Sequence, residues 1–281
     1  MASIARSLLF VPGDRPERFE KAAAAGAHEV VIDLEDAVAF DNKEEARQAT
    51  ADWLARGVPT TVRINGMESE WFAADLDLLA QFPGAGLMLP KAEVEAVQHV
   101  AGRLPGRPVT ALVETVRGVM GLREITAAGQ VQRLAFGSVD FSLESGISDD
   151  GEALTSVRNR IVLESCLARL LPPVDGVSVE FNDVELIRQQ ALRSRSLGFG
   201  GKLCIHPRQV DPVNSAFAPS AQEIEWARRV IDAAKSSNGG AVSVDGKMID
   251  RPILLQAERI IESCLAGSAG DGVDLSDSTR R

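Results

Sequence analysis

The sequence holds no tyrosine, three histidines and three cysteines, and aromatic residues make up 5% of it. Cys166, Cys204 and Cys264 are widely spaced and form no C-x-x-C pair, so neither a zinc ribbon nor a disulfide framework is encoded. Buried thiols in a reducing compartment are the simpler reading. No apolar run reaches the ~18 residues needed to span a bilayer. The N-terminal MASIARSLLFVPG is too short for a secretory core with a cleavage site. A soluble, cytoplasmic protein is expected. Positive charge is in deficit, with 30 Lys and Arg against 40 Asp and Glu, a net charge of −10. That excludes non-specific binding to nucleic acid or to an anionic membrane surface, but leaves room for a local basic pocket.

What is present is a regular alternation. Short apolar runs, SLLFVP (7–12), EVVIDL (29–34), TTVRIN (60–65), GLMLPK (86–91), PVTALVET (108–115), QRLAFGSVD (132–140), DGVSVEF (175–181) and GGKLCIHP (200–207), are separated by helical patterns. Those patterns lie at 16–27, 43–57, 71–82, 92–104, 118–129, 154–170 and 184–198. A polar loop is expected from 142 to 151. Eight strand runs with helices between them match a (β/α)₈ TIM barrel. The runs are apolar throughout, as in a parallel sheet covered on both faces. The rival is an open doubly wound sheet, which usually shows a glycine-rich turn after its first strand; VPGDRPERF is not G-x-G-x-x-G. The barrel is assigned to 1–217. C-terminal helices at 218–267 follow, interrupted by an SNGGA hinge after which residues 241–267 form an arm packing on the barrel or on a neighbouring subunit, and then a polar tail at 268–281 that is expected to be disordered.

In such a barrel the C-terminal ends of the strands face the active site. There the sequence places Asp33, Glu35 and Asp36 after the second run, Arg63 and Asn65 at the third, Lys91 at the fourth and Glu114 at the fifth. Asp140 ends the sixth, Glu180 and Asn182 the seventh, and His206 the eighth. Carboxylates sharing one mouth repel each other unless a cation or raised pKa values relieve them. Oxygen donors without a Cys or His cluster favour a hard ion, Mg²⁺ first, which commonly takes only one or two carboxylates. Glu114 and Asp140, ending adjacent runs, are the best pair. Arg63 is either an ion-pair partner of these acids or a bidentate clamp on a substrate carboxylate. His206, before a proline, is more often a structural hydrogen-bonder than a base. Glu35 and Asp36 suit a role holding the ion's water ligands, and Asp33 suits pairing with an interior cation such as Lys91.

RSLLFVPG, VVIDLEDAV, VRIN, LMLPK, ETVRGV, GKLCIHPRQV and GKMIDRP, in this order and spacing, resemble the citrate lyase β-subunit-like family of the HpcH/HpaI aldolase/citrate lyase superfamily, from about residue 6 to 267. The resemblance implies a barrel, a homo-oligomer that is often a trimer, and Mg²⁺-dependent carbon–carbon cleavage. The substrates would be β-hydroxyacyl-CoA esters of the malyl, citramalyl, citryl or hydroxymethylglutaryl type, giving an oxo acid and an acyl thioester. It also implies that Glu114 and Asp140 are metal ligands, that Glu114 and Arg63 face the substrate, and that Asp250 is an acid–base group on a C-terminal segment. Arg15, Arg18 and Lys21 are candidates for the phosphates of CoA. A thioesterase or synthase activity on the same site, or a lyase subunit that needs an acyl-carrier partner, are the alternatives.

Overall fold

The computed structural model describes residues 4–149, 151–236 and 242–268. They form two compact units, Ala5–Phe217 and a smaller one built from residues 218–236 and 242–268 with Ile4.

In the larger unit eight parallel strands close in sequence order: β1 (Ser7–Pro12), β2 (Glu29–Asp33), β3 (Thr61–Arg63), β4 (Gly86–Leu89), β5 (Val109–Val113), β6 (Val131–Phe136), β7 (Leu171–Asp175) and β8 (Gly201–Cys204), with β8 pairing back to β1. This is the (β/α)₈ barrel. Side chains alternate along each strand. Leu8, Val31, Met88, Leu112, Ala135, Val174 and Leu203 fill the barrel interior. Their strand neighbours, among them Leu9, Ile32, Val62, Leu87, Ala111, Leu134 and Cys204, join a much larger core under the helices. Both faces are therefore apolar, which explains the unbroken runs. At the opposite end, the buried Arg133 bonds the carbonyls of Pro172 (2.7 Å) and Ala5 (2.8 Å). Burial pushes its pKa down to about 10, against the charge of Glu29.

Three expectations need correction. The seventh strand is LPPVD, not DGVSVEF. Prolines normally argue against a strand, but Pro172 and Pro173 fall where the β6–β7 register is irregular, so no ladder donor is lost in a regular stretch. Glu180 and Asn182 accordingly lie in an exposed loop and not at a strand end. The sixth strand stops at Phe136, and 138–145 is a helix, Ser138–Ser145, not strand followed by loop. Its buried Phe141 packs on Phe136 with ring centroids 5.7 Å apart, and Gly146 in the left-handed region ends it. Asp140 therefore sits in the first turn of a helix. The helix expected at 118–129 is two short ones, Val116–Met120 and Leu122–Ala127, parted at Gly121.

In the smaller unit, helices Ala221–Ser236 and Arg251–Ser268 pack through Ala227, Val230 and Ala257. The antiparallel hairpin β9 (Val242–Val244) and β10 (Lys247–Ile249) turns at Asp245-Gly246, both at positive φ, as an Asp-Gly hairpin requires. The expected hinge at 237–241 and the tail beyond Ser268 lie outside the described residues.

Candidate active site

The barrel register assembles the mouth. Asp33 ends β2 and Arg63 ends β3, and the two are paired in register with their side chains on the inner face. Asp33 takes Arg63 by one edge, Nε to Oδ1 at 2.7 Å and Nη2 to Oδ2 at 2.5 Å. The same carboxylate accepts the backbone N–H of Glu35 and of Ala37. Nη1 of Arg63 lies 3.0 Å from Glu35 Oε2 and 3.7 Å from Asp36 Oδ2, and the guanidinium stacks over Phe10 at 4.8 Å. Burial works against its charge, but Asp33, Glu35 and Glu114 outweigh it and hold Arg63 firmly protonated. Asp33 thus pairs with an interior cation as expected, but that cation is Arg63 and not Lys91. Lys91 Nζ bonds Glu35 Oε1 at 2.7 Å, because Arg63 reaches Asp33 from the adjacent strand while Lys91 extends from β4 over the rim.

Glu114 follows β5 and is 2% exposed. Its Oε1 accepts the backbone N–H of Lys91 at 2.7 Å. It lies against Gly137, where an added Cβ would sit 2.4 Å from Glu114 Oε2, so only glycine fits there. Among the described residues Glu114 enters no ion pair. Burial first, then the charges of Glu35 and Asp140, push its pKa up to about 8, against the opposing Lys91 N–H and Arg63. Glu35 is also raised, mainly by burial, with Arg63 opposing. Asp140, half-buried in the first helical turn, is thus electrostatically coupled to Glu114. An acid in that turn also sits well with the helix dipole.

Several contributors escaped the sequence reading. Lys43 Nζ bonds the carbonyls of Leu34 (2.7 Å) and Glu35 (2.6 Å) and Asn65 Oδ1 (2.7 Å), holding the turn that carries the acids. Asn65 is fixed in turn by Asp75 through its backbone N–H and its amide. A lysine opening a helix, where acids are favoured, was the available signal. Gln209 accepts the N–H of Ile205 and of His206 and donates to the carbonyls of Ser178 and Glu180. His206 stacks on Phe181, and its Nδ1 accepts the Arg208 N–H, which is a structural role. Arg15, Arg18 and Lys21 are exposed. An open cleft of about 840 Å³ lies over the ends of β2 to β5, lined among others by Glu35, Asp36, Asn65, Trp71, Lys91 and Arg117.

Asp250 belongs to the smaller unit. It is exposed, and its Oδ1 accepts the N–H of Ile253, so it caps helix Arg251–Ser268.

The donor set can be tested against a metal. Among the described residues no group of three or more His, Cys, Asp or Glu could hold an ion, which rules out an all-protein cage there. Two coupled carboxylates, one buried, without an ion-pair partner and fitted against glycine, suit a hard cation that keeps several waters.

A closed parallel barrel with a guanidinium and a group of carboxylates at the C-terminal ends of its strands has the layout of a barrel enzyme, whose active site lies at that end. The profile of the HpcH/HpaI aldolase/citrate lyase family matches residues 6–207, and the chain belongs to that family. It is 40% identical over 261 residues to the citrate lyase subunit beta-like protein of Mycobacterium tuberculosis, covering 90% of this chain and 93% of that one. It is 34% identical over 275 residues to a (3S)-malyl-CoA thioesterase of Cereibacter sphaeroides, covering 94% and 96%. Among solved structures, CitE of M. tuberculosis in complex with magnesium, acetoacetate and coenzyme A superposes with a TM-score of 0.80 at 38% identity, covering 94% of this chain and 98% of that one.

Proposed function

We propose that this protein is a Mg²⁺-dependent carbon–carbon lyase that cleaves a β-hydroxyacyl-CoA ester into an oxo acid and an acyl-CoA. One arrangement carries the proposal: Glu114, buried, with no ion-pair partner among the described residues and coupled to Asp140, beside an Arg63 whose charge it feels. Similarity to a CitE crystallised with magnesium, acetoacetate and coenzyme A supports the same reading.

Glu114 and Asp140 would hold the Mg²⁺, which when bound supplies Lewis acidity toward the oxygen that changes from hydroxyl to carbonyl. Arg63 binds the carboxylate of the oxo-acid half. Because Asp33 fixes its Nε–Nη2 edge, the guanidinium keeps one orientation and loses no freedom on binding. Glu35 and Asp36 accept hydrogen bonds from water at the rim. In the cleavage direction Asp250 is assigned as the base that takes the hydroxyl proton. The C–C bond then breaks, its electron pair passes to the α-carbon of the thioester, and the proton taken up by Asp250 is returned there, releasing the acyl-CoA. Arg15, Arg18 and Lys21 are assigned to the CoA phosphates. The working form is a homo-oligomer, taken as a trimer. The supporting observation is a set of exposed apolar side chains, Met120, Leu143, Leu163 and Leu167, on neighbouring helices of the barrel. The compartment is taken to be the cytoplasm, whose reducing poise suits a buried thiol such as Cys204.

A thioesterase is the second reading, favoured by the 34% identity to a malyl-CoA thioesterase. One experiment separates the two. Purified protein is incubated with malyl-, citramalyl-, citryl- and hydroxymethylglutaryl-CoA, with and without Mg²⁺, and the products are resolved. An oxo acid plus an acyl-CoA, formed only with metal, is expected. Free CoA with no retained acyl-CoA establishes the hydrolase instead. Activity only after an acyl-carrier protein is added establishes an obligate subunit. No turnover of any of the four esters overturns the proposal.

A further inference from the structure

Lys91 is one of three non-glycine residues at positive φ among the described residues. The other two occupy ordinary places for it: Arg169 just past the end of a helix and Asp245 in a hairpin turn. Lys91, at φ 45°, lies at the mouth of the barrel immediately after Leu89-Pro90. A side chain in the left-handed region costs roughly 1–2 kcal/mol, which glycine avoids. Such strain concentrates where a structure holds a group for a purpose. Two contacts account for it. The left-handed backbone turns the Lys91 N–H onto Glu114 Oε1 at 2.7 Å. The side chain, passing Gly66 with Cδ in ordinary contact distance of where a Cβ would be, delivers Nζ to Glu35 Oε1 at 2.7 Å. Glycine would keep the first contact without strain and lose the second. The presence of lysine therefore points to the second.

Building on the reading of Glu114 and Asp140 as metal donors, we propose that Lys91 is a positioning residue that aims Glu114 at the ion through its backbone and, through its side chain, keeps Glu35 from becoming a third protein ligand. The need is electrostatic and geometric. Glu35 stands close enough for its charge to be the largest electrostatic contribution raising Glu114. Arg63 Nη1 meets only one of its oxygens, Oε2. With Lys91 removed, Oε1 loses the Nζ hydrogen bond and is drawn to a divalent cation. An ion with three carboxylates binds tightly but has one fewer water for substrate oxygens to displace. Lys91 thus keeps coordination positions open, at the cost of a strained backbone and some metal affinity.

The test uses Mn²⁺ as a paramagnetic stand-in for Mg²⁺ on the full chain. Electron paramagnetic resonance titration gives affinity, and water-proton relaxation gives the number of bound waters. In Lys91→Gly, Mn²⁺ should bind as tightly as in wild type or up to about tenfold tighter, with one water fewer and kcat lowered about 10- to 100-fold. Lys91→Arg, which restores the cation, should recover the water count. The double variant Lys91→Gly with Glu35→Gln should recover it too, because the intruding carboxylate is gone. Lys91→Ala keeps the strain and loses the tether, so its Mn²⁺ affinity should fall below that of Lys91→Gly. A wild-type water count and turnover in Lys91→Gly overturns the inference, as does a water deficit that Glu35→Gln leaves in place. If wild type itself binds no Mn²⁺, the metal-site reading beneath the inference fails, and the inference with it.

Discussion

The barrel contains two buried charge clusters built from similar residues and arranged to opposite effect. Between β7, β8 and the surrounding helices, Asp175 accepts Arg158 Nε (2.9 Å), the Gly176 N–H (2.9 Å) and the Ser194 hydroxyl (2.5 Å). Lys202 Nζ bonds the Gly176 carbonyl at 2.7 Å, and Arg158 also reaches Asp149 at 2.7 Å. Burial disfavours the Asp175 charge, but Lys202 and Arg158 prevail and hold its pKa below the usual value. At the mouth, Asp33 is similarly satisfied, yet Glu114 has one backbone donor, carboxylate neighbours and a pKa near 8. The wall cluster is balanced and the mouth cluster is not. Such an imbalance is relieved either by a raised carboxyl pKa, as at Glu114, or by a bound cation, which is why strongly shifted groups gather at functional sites.

This contrast can be broken or sharpened by substitution. The largest effect is expected for Arg63→Lys, which keeps the charge but loses the planar fork. It should lower kcat/KM about 1000-fold, roughly 4 kcal/mol, measured on whichever ester the product panel selects; retention within tenfold would remove Arg63 from substrate binding. Next is Asp175→Asn in the wall, which strands Arg158 and Lys202. Unfolding free energy should drop by about 3 kcal/mol in denaturant titration at pH 7, with Mn²⁺ affinity unchanged. The sign with pH is set by a lowered carboxylate. The contribution is intact above the ordinary Asp value of 3.8 and is lost as pH falls through the lower folded value, so the two proteins should converge in stability below it. Glu114→Gln should give the reverse pattern: Mn²⁺ affinity down at least about tenfold, about 1.4 kcal/mol, with no loss of melting temperature in metal-free buffer. Should it destabilise as Asp175→Asn does, the distinction between the clusters is wrong. The smallest change is expected for Asp36→Asn, a half-exposed partner 3.7 Å from Arg63, at no more than about 0.5 kcal/mol in stability.

Legibility in the sequence followed the same division. Seven of the eight strands were readable because their residues are β-branched or aliphatic and buried on both sides, so composition and structure agree. β7 was not, because LPPVD violates strand chemistry and is tolerated only where the ladder is irregular. Helix Ser138–Ser145 was missed because SVDFSLES alternates apolar and polar residues like a strand; Phe141 packing on Phe136 overrides that local signal. Glu114, Arg63 and the acids after β2 were visible as charges that end apolar runs. Lys43, Asp75 and Gln209 were not, since their role lies in bonds to carbonyls and amides far along the chain.

By itself the sequence determined the architecture and the chemical inventory of the mouth: periodic burial fixes where strands lie, and a charge closing a buried strand must emerge at its end. Only the tertiary structure decided the partnerships. Asp33 took Arg63 and Glu35 took Lys91 because strand register and reach from neighbouring strands set distance, and Coulomb energy and hydrogen bonding depend on distance rather than on order along the chain. Glu114 was left with a backbone amide for the same reason, and that leaves room for a ligand.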